Sequence, residues 1–590
     1  LPLPESVKGL FQRRLGELGD DARSVLLAAA VIGAEVAPCC LLDVVPELPP
    51  SRLYESLDVL CERQILRSHH DGYAFTHDKI RETIYDLAPE DEKQRVHLRA
   101  GECLADHRGR PGHPPIADEA LAHHFAAGKD TVRALEHLDR ASDVAFRSGA
   151  HRAAAEMLGR ALDLMSRTGE VDPTRAAVWR RKRGDARFAL GDVDGCIEDS
   201  RAALALLGHP LPVTEAGWKL RAFTGLMAVL FVGALSPSRS TARRTDRLEA
   251  ARCAGQLASS YYFTLSLTPM LAVLLWGLLW AWRSGRAELV IEAQARLAYV
   301  AGVAGLRRLA SRLFERAGKL ATHKGHRAAR ARGLYLEALY GLGLGDWKHV
   351  VASAEAAAEV LREIGDRQDV EIAQTVAAHA DYYRGDVETA AVGFEAVLAS
   401  ARARTNVQHL GWGLFLTARS ALAQGRTAEA VTSLEEARRL LRPSADRSSI
   451  AICEGLLATA YLRAQDLEGA AAVLADLLPR LTRGAMPLPP CLDAYLGAAE
   501  TAIGLWRARR DDGSREVDAR RAVGALARFS RLFPFARPAT HRLRAEMHAL
   551  RGRDGAALAE LRRSRRLADG LGMKLEVVAI TKGAEACRGR

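Results

Sequence analysis

An all-α fold is predicted, a small winged-helix domain followed by a right-handed α-solenoid of tetratricopeptide-like helix pairs. Three observations predict it. Gly305, Gly345, Gly385 and Gly425 are evenly spaced along the chain, with Gln465 at the fifth position. Ala310, Val350, Ala390, Ala430 and Ala470 follow at one fixed interval after these marks, and Phe314, Ala354, Phe394, Leu434 and Leu474 at another. The period, about 40 residues, is that of stacked helix pairs, none able to bury its apolar face alone. Apolar residues make up 48% of the 590 and aromatics 6%, with Ala and Leu abundant, which favours helices over sheet. Positions 1–107, finally, do not keep the beat.

In that first stretch Leu10, Leu15 and Leu18, then Val25, Leu26 and Ala29, predict two helices divided by Gly19-Asp20-Asp21. A third near Leu41 to Val45 stops at Pro46. Ser51 is the expected N-cap of a fourth, with Leu53, Leu57, Leu60 and Cys61 on one face. His69-His70-Asp71-Gly72 between short apolar runs is a hairpin signal, followed by Tyr73-Ala74-Phe75 and a helix from His77 through Leu87. Three helices, a hairpin wing and a closing helix describe a winged helix over 1–107. The Pro- and Gly-rich segment 108–117 forms a boundary, and the repeat superhelix is expected over 118–590. Its units begin with Ala141, Ala145, Gly149, Ala154, Leu158 and Ala161, then Gly184, Gly191, Cys196 and Ala203, and lengthen to the full period from position 287 on. Gly552, Ala557, Leu561 and Ser564 close the array at the same intervals; ten to thirteen pairs are expected in all.

The charge of +11 is not spread evenly. Positions 501–590 carry 21 Lys and Arg against 10 Asp and Glu, which leaves positions 1–500 neutral. Arg562, Arg563, Arg565 and Arg566 form a candidate patch for an acidic partner. No aromatic interleaving accompanies them, and the expected recognition helix of the wing carries Glu55 and Asp58, so both features argue against nucleic acid. Nine cysteines without a C-x-x-C pair argue against a disulfide framework or zinc site and for a cytoplasmic location. The apolar runs 222–235 and 269–282 are shorter than a membrane span, which needs roughly 20 residues, and both are expected as buried solenoid helices. The start at Leu1 suggests a piece of a longer polypeptide.

Neither a phosphate loop, a kinase signature, a G-x-S-x-G elbow nor an H-E-x-x-H helix occurs, so no catalytic centre and no metal are expected in this stretch. Phe75-Thr76-His77-Asp78 is the most suggestive short segment. A histidine at a helix start can meet an anionic group such as a phosphate; in the plainer reading Asp78 only starts the helix and His77 bonds locally. Adjacent His123 and His124 point about 100° apart on a helix and are expected to pack rather than share a metal. Trp276, Trp280 and Trp282 are expected as core. The regular glycines and Ala310, Ala390, Ala430 and Ala470 are expected at the tight packing points of the repeats.

Leu3-Pro4-Glu5-Ser6-Val7, Arg14-Leu15 and Leu26 to Gly33 resemble the segment after the nucleotide-binding domain in signal-transduction ATPases with numerous domains. Tyr73 to Glu82 is similar to the family's F-x-H-D-x-x-R-E stretch, and Leu121 to Gly128 to its L-A-x-H-F-x-x-A-G entry into helical repeats. The resemblance extends from the first position to around position 165. It implies a switch in which an upstream module binds ATP or ADP, sometimes joined to a serine/threonine kinase, while this part holds no cofactor of its own. The superhelix would take a protein or small-ligand effector in its groove, and the winged helix would dock on the nucleotide-binding domain. His77, with Asp78, would then contact the ADP phosphate. Thr76 stands where related receptors carry Met. A plain scaffold for protein interaction is the alternative.

Overall fold

Aspartate and left-handed residues set many of the helix ends in the repeats. The structure, a computed structural model, describes residues 16–70, 72–108, 116–169, 172–232, 241–484 and 486–588. The first expected helix around Leu10 and Leu15, the Leu3–Val7 segment, Asp71 of the hairpin turn and most of the 108–117 boundary lie outside these residues. Two compact units emerge, residues 1–172 and 173–590.

In the first unit, α1 (Asp20–Ile32), β1 (Glu35–Val36), α2 (Pro38–Val44), α3 (Pro50–Glu62), β2 (Leu66–His69), β3 (Gly72–Phe75), α4 (Asp78–Leu87) and α5 (Glu90–His107) follow in order. Three of these details differ from expectation. The chain enters α3 through Pro49 and Pro50, not Ser51, because proline's fixed φ suits the first helical position. Strand β1 pairs with β3, Glu35 opposite Ala74 and Val36 opposite Tyr73, so the hairpin is widened to an antiparallel sheet of order β1-β3-β2. The third is α5, which adds a long helix to the domain. Leu26, Leu41, Leu53, Leu57 and Leu60 are fully buried between the helices and the sheet. Helices α6 (Asp118–Ala127), α7 (Thr131–Arg147) and α8 (His151–Thr168) belong to the same unit.

The second unit runs through α9 (Pro173–Ala189), α10 (Val193–Leu206), α11 (Glu215–Val232), α12 (Thr241–Phe263) and α13 (Leu267–Ser284). Next come α14 (Ala287–Val303), α15 (Arg307–Lys324), α16 (Arg327–Leu344), α17 (Trp347–Glu363) and α18 (Arg367–Arg384). Then follow α19 (Val387–Arg404), α20 (Val407–Ala423), α21 (Thr427–Leu441), α22 (Arg447–Arg463) and α23 (Leu467–Arg483). The last described helices are α24 (Leu492–Ala508), α25 (Gly513–Leu532), α26 (Arg537–Leu550), α27 (Asp554–Leu571) and α28 (Lys574–Arg588).

The spacing of Gly305 to Gly425 is that of a helix pair, and left-handed residues also mark the junction between the two helices of most pairs. Gly285, Gly305, Gly325, Gly345, Gly365, Gly385, Thr405, Gly425 and Gln465 all have positive φ, between +53° and +102°. From α15 to α19 each step is a helix of 17 or 18 residues, then a left-handed residue and the residue that opens the next helix, with right-handed Ile364 as one extra residue after α17. Asp366, Asp446 and Asp466 accept from the backbone N–H three positions on, which satisfies an otherwise orphaned donor. Ala310, Ala390, Ala430 and Ala470 are completely buried.

Alternate helices differ in how much they bury. Of the 17 residues of α20, 13 are buried, against 4 of 15 in α21. Helices α16, α18, α20, α22 and α24 are inner ones, covered on nearly all sides; α15, α17, α19, α21 and α23 show one covered stripe each. The apolar run of α13 belongs to a full 18-residue helix that is apolar and long enough to cross a membrane, yet 61% of it is buried within the unit. Helix α11 departs from the expected burial. Leu220, Phe223, Leu230 and Phe231 are all exposed on it, Phe231 by 83%; positions 233–235 of that run lie outside the described residues.

Candidate functional site

A solenoid that winds far enough must bring its own turns together, and in the second unit it does. Asn406 Nδ2 donates to the carbonyl of Ala189, 217 residues away, at 2.9 Å. Trp347 Nε1 donates to the carbonyl of Leu571, 224 residues away, at 2.6 Å. Lys574 Nζ reaches Asp386 Oδ1 at 3.1 Å. Aromatic rings fill the space beside these bonds, Phe263 against Trp412 at 5.6 Å between centroids and Tyr383 against Phe535 at 5.2 Å. The approach is close. An added Cβ on Gly191 would lie 2.9 Å from Gln408 N, and one on Gly385 would lie 2.7 Å from Lys574 Cβ.

From the Asn406 contact a buried polar network spreads through the inner helices. Asn406 Oδ1 accepts from His409 N, capping α20. Glu371 on α18 accepts from His409 Nδ1, from both Arg404 Nε (3.0 Å) and Nη2, and from Ser400 Oγ. Burial pulls the Glu371 carboxyl up, but His409 and Arg404 outweigh it and hold it below the usual range. His409 stacks on Trp412 at 4.3 Å; Trp412 Nε1 donates to Ser449 Oγ at 2.7 Å, and Ser449 Oγ donates to Asp446. Gln408 Nε2 donates to the same carboxylate at 2.7 Å. Several helices are thus linked by side chains that have no water to fall back on, so each bond made here is one that separation would leave unmade.

Deeper along the axis lies Arg419, 1% exposed. Its Nη1 donates to Asp493 Oδ2 at 2.7 Å and to His379 Nδ1 at 3.1 Å, and its guanidinium sits 4.0 Å from the centroid of Tyr382. Burial, then the Arg419 charge, drives the His379 pKa well below its ordinary value, so the ring is neutral and accepts. Arg419 Nε and Nη2 have no hydrogen-bond partner, and the rings of Tyr382, Tyr383 and Phe394 face the guanidinium instead. The sequence does not reveal this pair, since Arg419 and Asp493 are 74 residues apart.

An open cleft of about 500 Å³ between α21 and α22 is lined by Glu435, Arg438, Arg439, Arg442, Leu457 and Tyr461. Arg438 is held by Glu454 and Asp476, both at 3.5 Å, while Arg439 and Arg442 point to solvent.

The residues singled out from sequence fall at separate places. His77 is exposed at the N-cap of α4 and makes no side-chain cap bond, and Asp78, also exposed, opens the helix with Arg81 at 3.9 Å. His124 is buried, with Nδ1 at 3.1 Å from His97 Nδ1, and His97 Nε2 meets Tyr85 Oη at 2.9 Å. Arg562, Arg563, Arg565 and Arg566 lie on α27 around the buried Ser564, with Arg565 paired to Asp569 at 2.9 Å. The regular glycines lie at the helix ends, two of them, Gly345 and Gly385, against the opposite turn.

No family model matches the chain. An uncharacterised protein of Rhizobium meliloti is 28% identical over 264 residues, 44% of this chain; the match spans 21% of that protein's length. Among solved structures, a signal-transduction ATPase with numerous domains carrying a tetratricopeptide repeat sensor, from Pyrococcus horikoshii, is similar at TM-score 0.39 and 13% identity. That match covers 90% of this chain and 67% of the other. A Rap protein complexed with competence and sporulation factor matches at TM-score 0.43 and 11% identity, over 67% and 98% of the two chains. Yeast Tom70 matches at 0.30 and 14%, over 85% and 96%.

Proposed function

We propose that this chain is the sensing half of a signal-transduction ATPase, its superhelix binding a protein or small-ligand effector and its N-terminal unit passing occupancy to an upstream nucleotide-binding module. The observation that carries the reading is the seam between turns. A ligand entering the axis must part Asn406 from Ala189 and Trp347 from Leu571, so binding and rearrangement are one event. Ligand affinity that differs between the parted and joined forms is what shifts their balance. Exposed His77, at the N-terminus of α4, is available to an ADP phosphate of that module, and ATP or ADP would be bound there and not in this chain.

The test uses the full-length protein. Asn406→Ala combined with Trp347→Phe weakens the seam and should raise basal ADP release, and His77→Ala should raise it independently. Release unchanged by all three refutes the switch. The second reading, a scaffold whose turns never part, draws on the Arg439 and Arg442 cleft as a dock for an acidic segment. It predicts binding that is lost in Arg439→Glu/Arg442→Glu and untouched by the seam variants.

A further inference from the structure

The nine cysteines show no metal spacing along the chain, but the fold makes one in space. Helix α5 places Cys103 and His107 one turn apart, hence on one face. Helix α2 turns Cys40 toward that face, with Asp43 one turn further on. Cys103 Sγ lies 3.4 Å from His107 Nδ1, and Cys40 Sγ lies 3.8 Å from the same nitrogen. The three potential ligand atoms are all within 4.8 Å of one another. A tetrahedral zinc ion with bonds of about 2.3 Å to sulfur and about 2.0–2.1 Å to nitrogen requires sulfur and nitrogen to stand about 3.6 Å apart. The observed separations bracket that value. All three side chains are buried, so their positions are set by packing.

We infer that Cys40, Cys103 and His107 form a binding site for a zinc-class divalent cation, ligated by two thiolates and His107 Nδ1. Asp43 completes the arrangement from the solvent side. Its Oδ2 lies 3.4 Å from His107 Nε2, where it can accept the Nε2 proton and so keep Nδ1 unprotonated toward the sulfurs. Binding releases one proton from each thiol, and two thiolates balance the double charge of the ion. Sulfur and imidazole donors select zinc over the oxygen-seeking magnesium and calcium. A water would complete the four-coordinate shell. The consequence is mechanical. Cys40 and Cys103 are 63 residues apart, so the ion would tie the three-helix body directly to α5, the helix that leads into the repeats. Plain thiol packing would need neither the histidine turned toward both sulfurs nor the carboxylate behind it.

The experiment is elemental analysis of the full chain purified with reductant and without added metal or chelator. The expected result is about one zinc per chain, retained in Cys39→Ser and Cys196→Ser and lost in Cys103→Ser and His107→Ala. Should those two variants fail to fold, Asp43→Asn, at a half-exposed position, is expected to weaken zinc affinity about 10- to 100-fold in a chelator competition. Cobalt added to the stripped protein should give the absorption of thiolate-bound tetrahedral cobalt. Overturning results are zinc content indifferent to Cys103→Ser, unchanged affinity in Asp43→Asn, no thiolate–cobalt band, or a Cys40–Cys103 disulfide in place of metal, seen as a mass two hydrogens lighter.

Discussion

The seam can be tested with a methyl group. Gly385 and Gly425 occupy the same place in successive repeats, both with left-handed backbone, φ +102° and +81°. Alanine at either position bears the left-handed penalty of about 1–2 kcal/mol, offset in part by the stiffer unfolded chain. Their surroundings separate them. At Gly425 an added Cβ meets nothing within 4 Å; at Gly385 it comes to 2.7 Å of Lys574 Cβ and 3.3 Å of Leu575 N. The second is a contact that helix α28 must yield to, and forced overpacking costs about 1–3 kcal/mol more. Because long repeat arrays do not unfold as one unit, the assay is amide hydrogen exchange resolved along the chain. Gly385→Ala should speed exchange in α28 by about fivefold to a hundredfold relative to Gly425→Ala, since about 1.4 kcal/mol is tenfold. Gly425→Ala should act only on α20 and α21. Equal acceleration of α28 by both variants, or by neither, would mean that the turns do not press on each other and would remove the basis for the switch.

Three further outcomes follow from the same geometry. Thr405→Gly and Gln465→Gly relieve two left-handed side chains, φ +53° and +63°, and should each stabilise the local helix pair by up to about 1 kcal/mol, read as slower exchange across the junction. Arg419→Met strands the buried Asp493 carboxylate and should cost about 3–5 kcal/mol in denaturant unfolding, whereas Arg419→Met/Asp493→Leu should recover most of it; failure of the double variant to recover would show that the ring packing, not the charge pair, matters. Burial, then neighbouring histidines, lowers His97 to about 4 and His124 to about 3, below the unfolded value near 6.5. Their neutral forms therefore contribute stability that is complete above about pH 6.5 and falls by about 1.4 kcal/mol per pH unit per ring as pH drops toward the folded values. Thermal melting from pH 7 to 4 should show this slope flattened in His124→Asn, and an unchanged slope would refute it.

What was legible in the sequence was whatever the backbone demands of a single residue. A left-handed helix end asks for glycine, so Gly305 to Gly425 stood out at once; Gly285, Gly325 and Gly365 carry the same message at the other helix ends. Ala310, Ala390, Ala430 and Ala470 were legible because a close helix approach excludes larger side chains. Strand β1 was not, since Glu35 and Val36 alone are too few to show an alternation. The seam and the Glu371–Arg404–His409 network were hidden for a different reason. The seam's partners are brought together by the pitch of the superhelix, which accumulates over many small rotations and leaves no local trace, while the network joins successive helices at positions 33 and 38 residues apart that no short motif marks. Charged residues such as Arg419 and Glu371 look in sequence like a solvated helix face, and only the packing of the neighbouring helices shows that they are buried. Cys103 and His107 were visible as an i, i+4 pair, but Cys40 joins them only after α2 has folded onto α5.

The same pitch decides what kind of binding the superhelix can perform. An open groove offers its surface at no cost; here the inner helices already contact one another, and under the proposed switch a ligand would replace those contacts. Each hydrogen bond of the seam contributes about 1 kcal/mol net, and an aromatic pair contributes about 0.5–1.5 kcal/mol. Asn406–Ala189, Trp347–Leu571 and the rings beside them would therefore set a gap of several kcal/mol between the joined and a parted form, to which the exposed Lys574–Asp386 pair adds little. Moving such an equilibrium from 1:99 to 99:1 takes about 5.5 kcal/mol of differential affinity. A single fragment-sized contact falls short of that. On the proposed switch, an effector of peptide length, able to offer backbone groups to Asn406 and apolar side chains to Trp412 and Phe535, would reach it, and an extended peptide is the class of ligand to try first on the full-length protein.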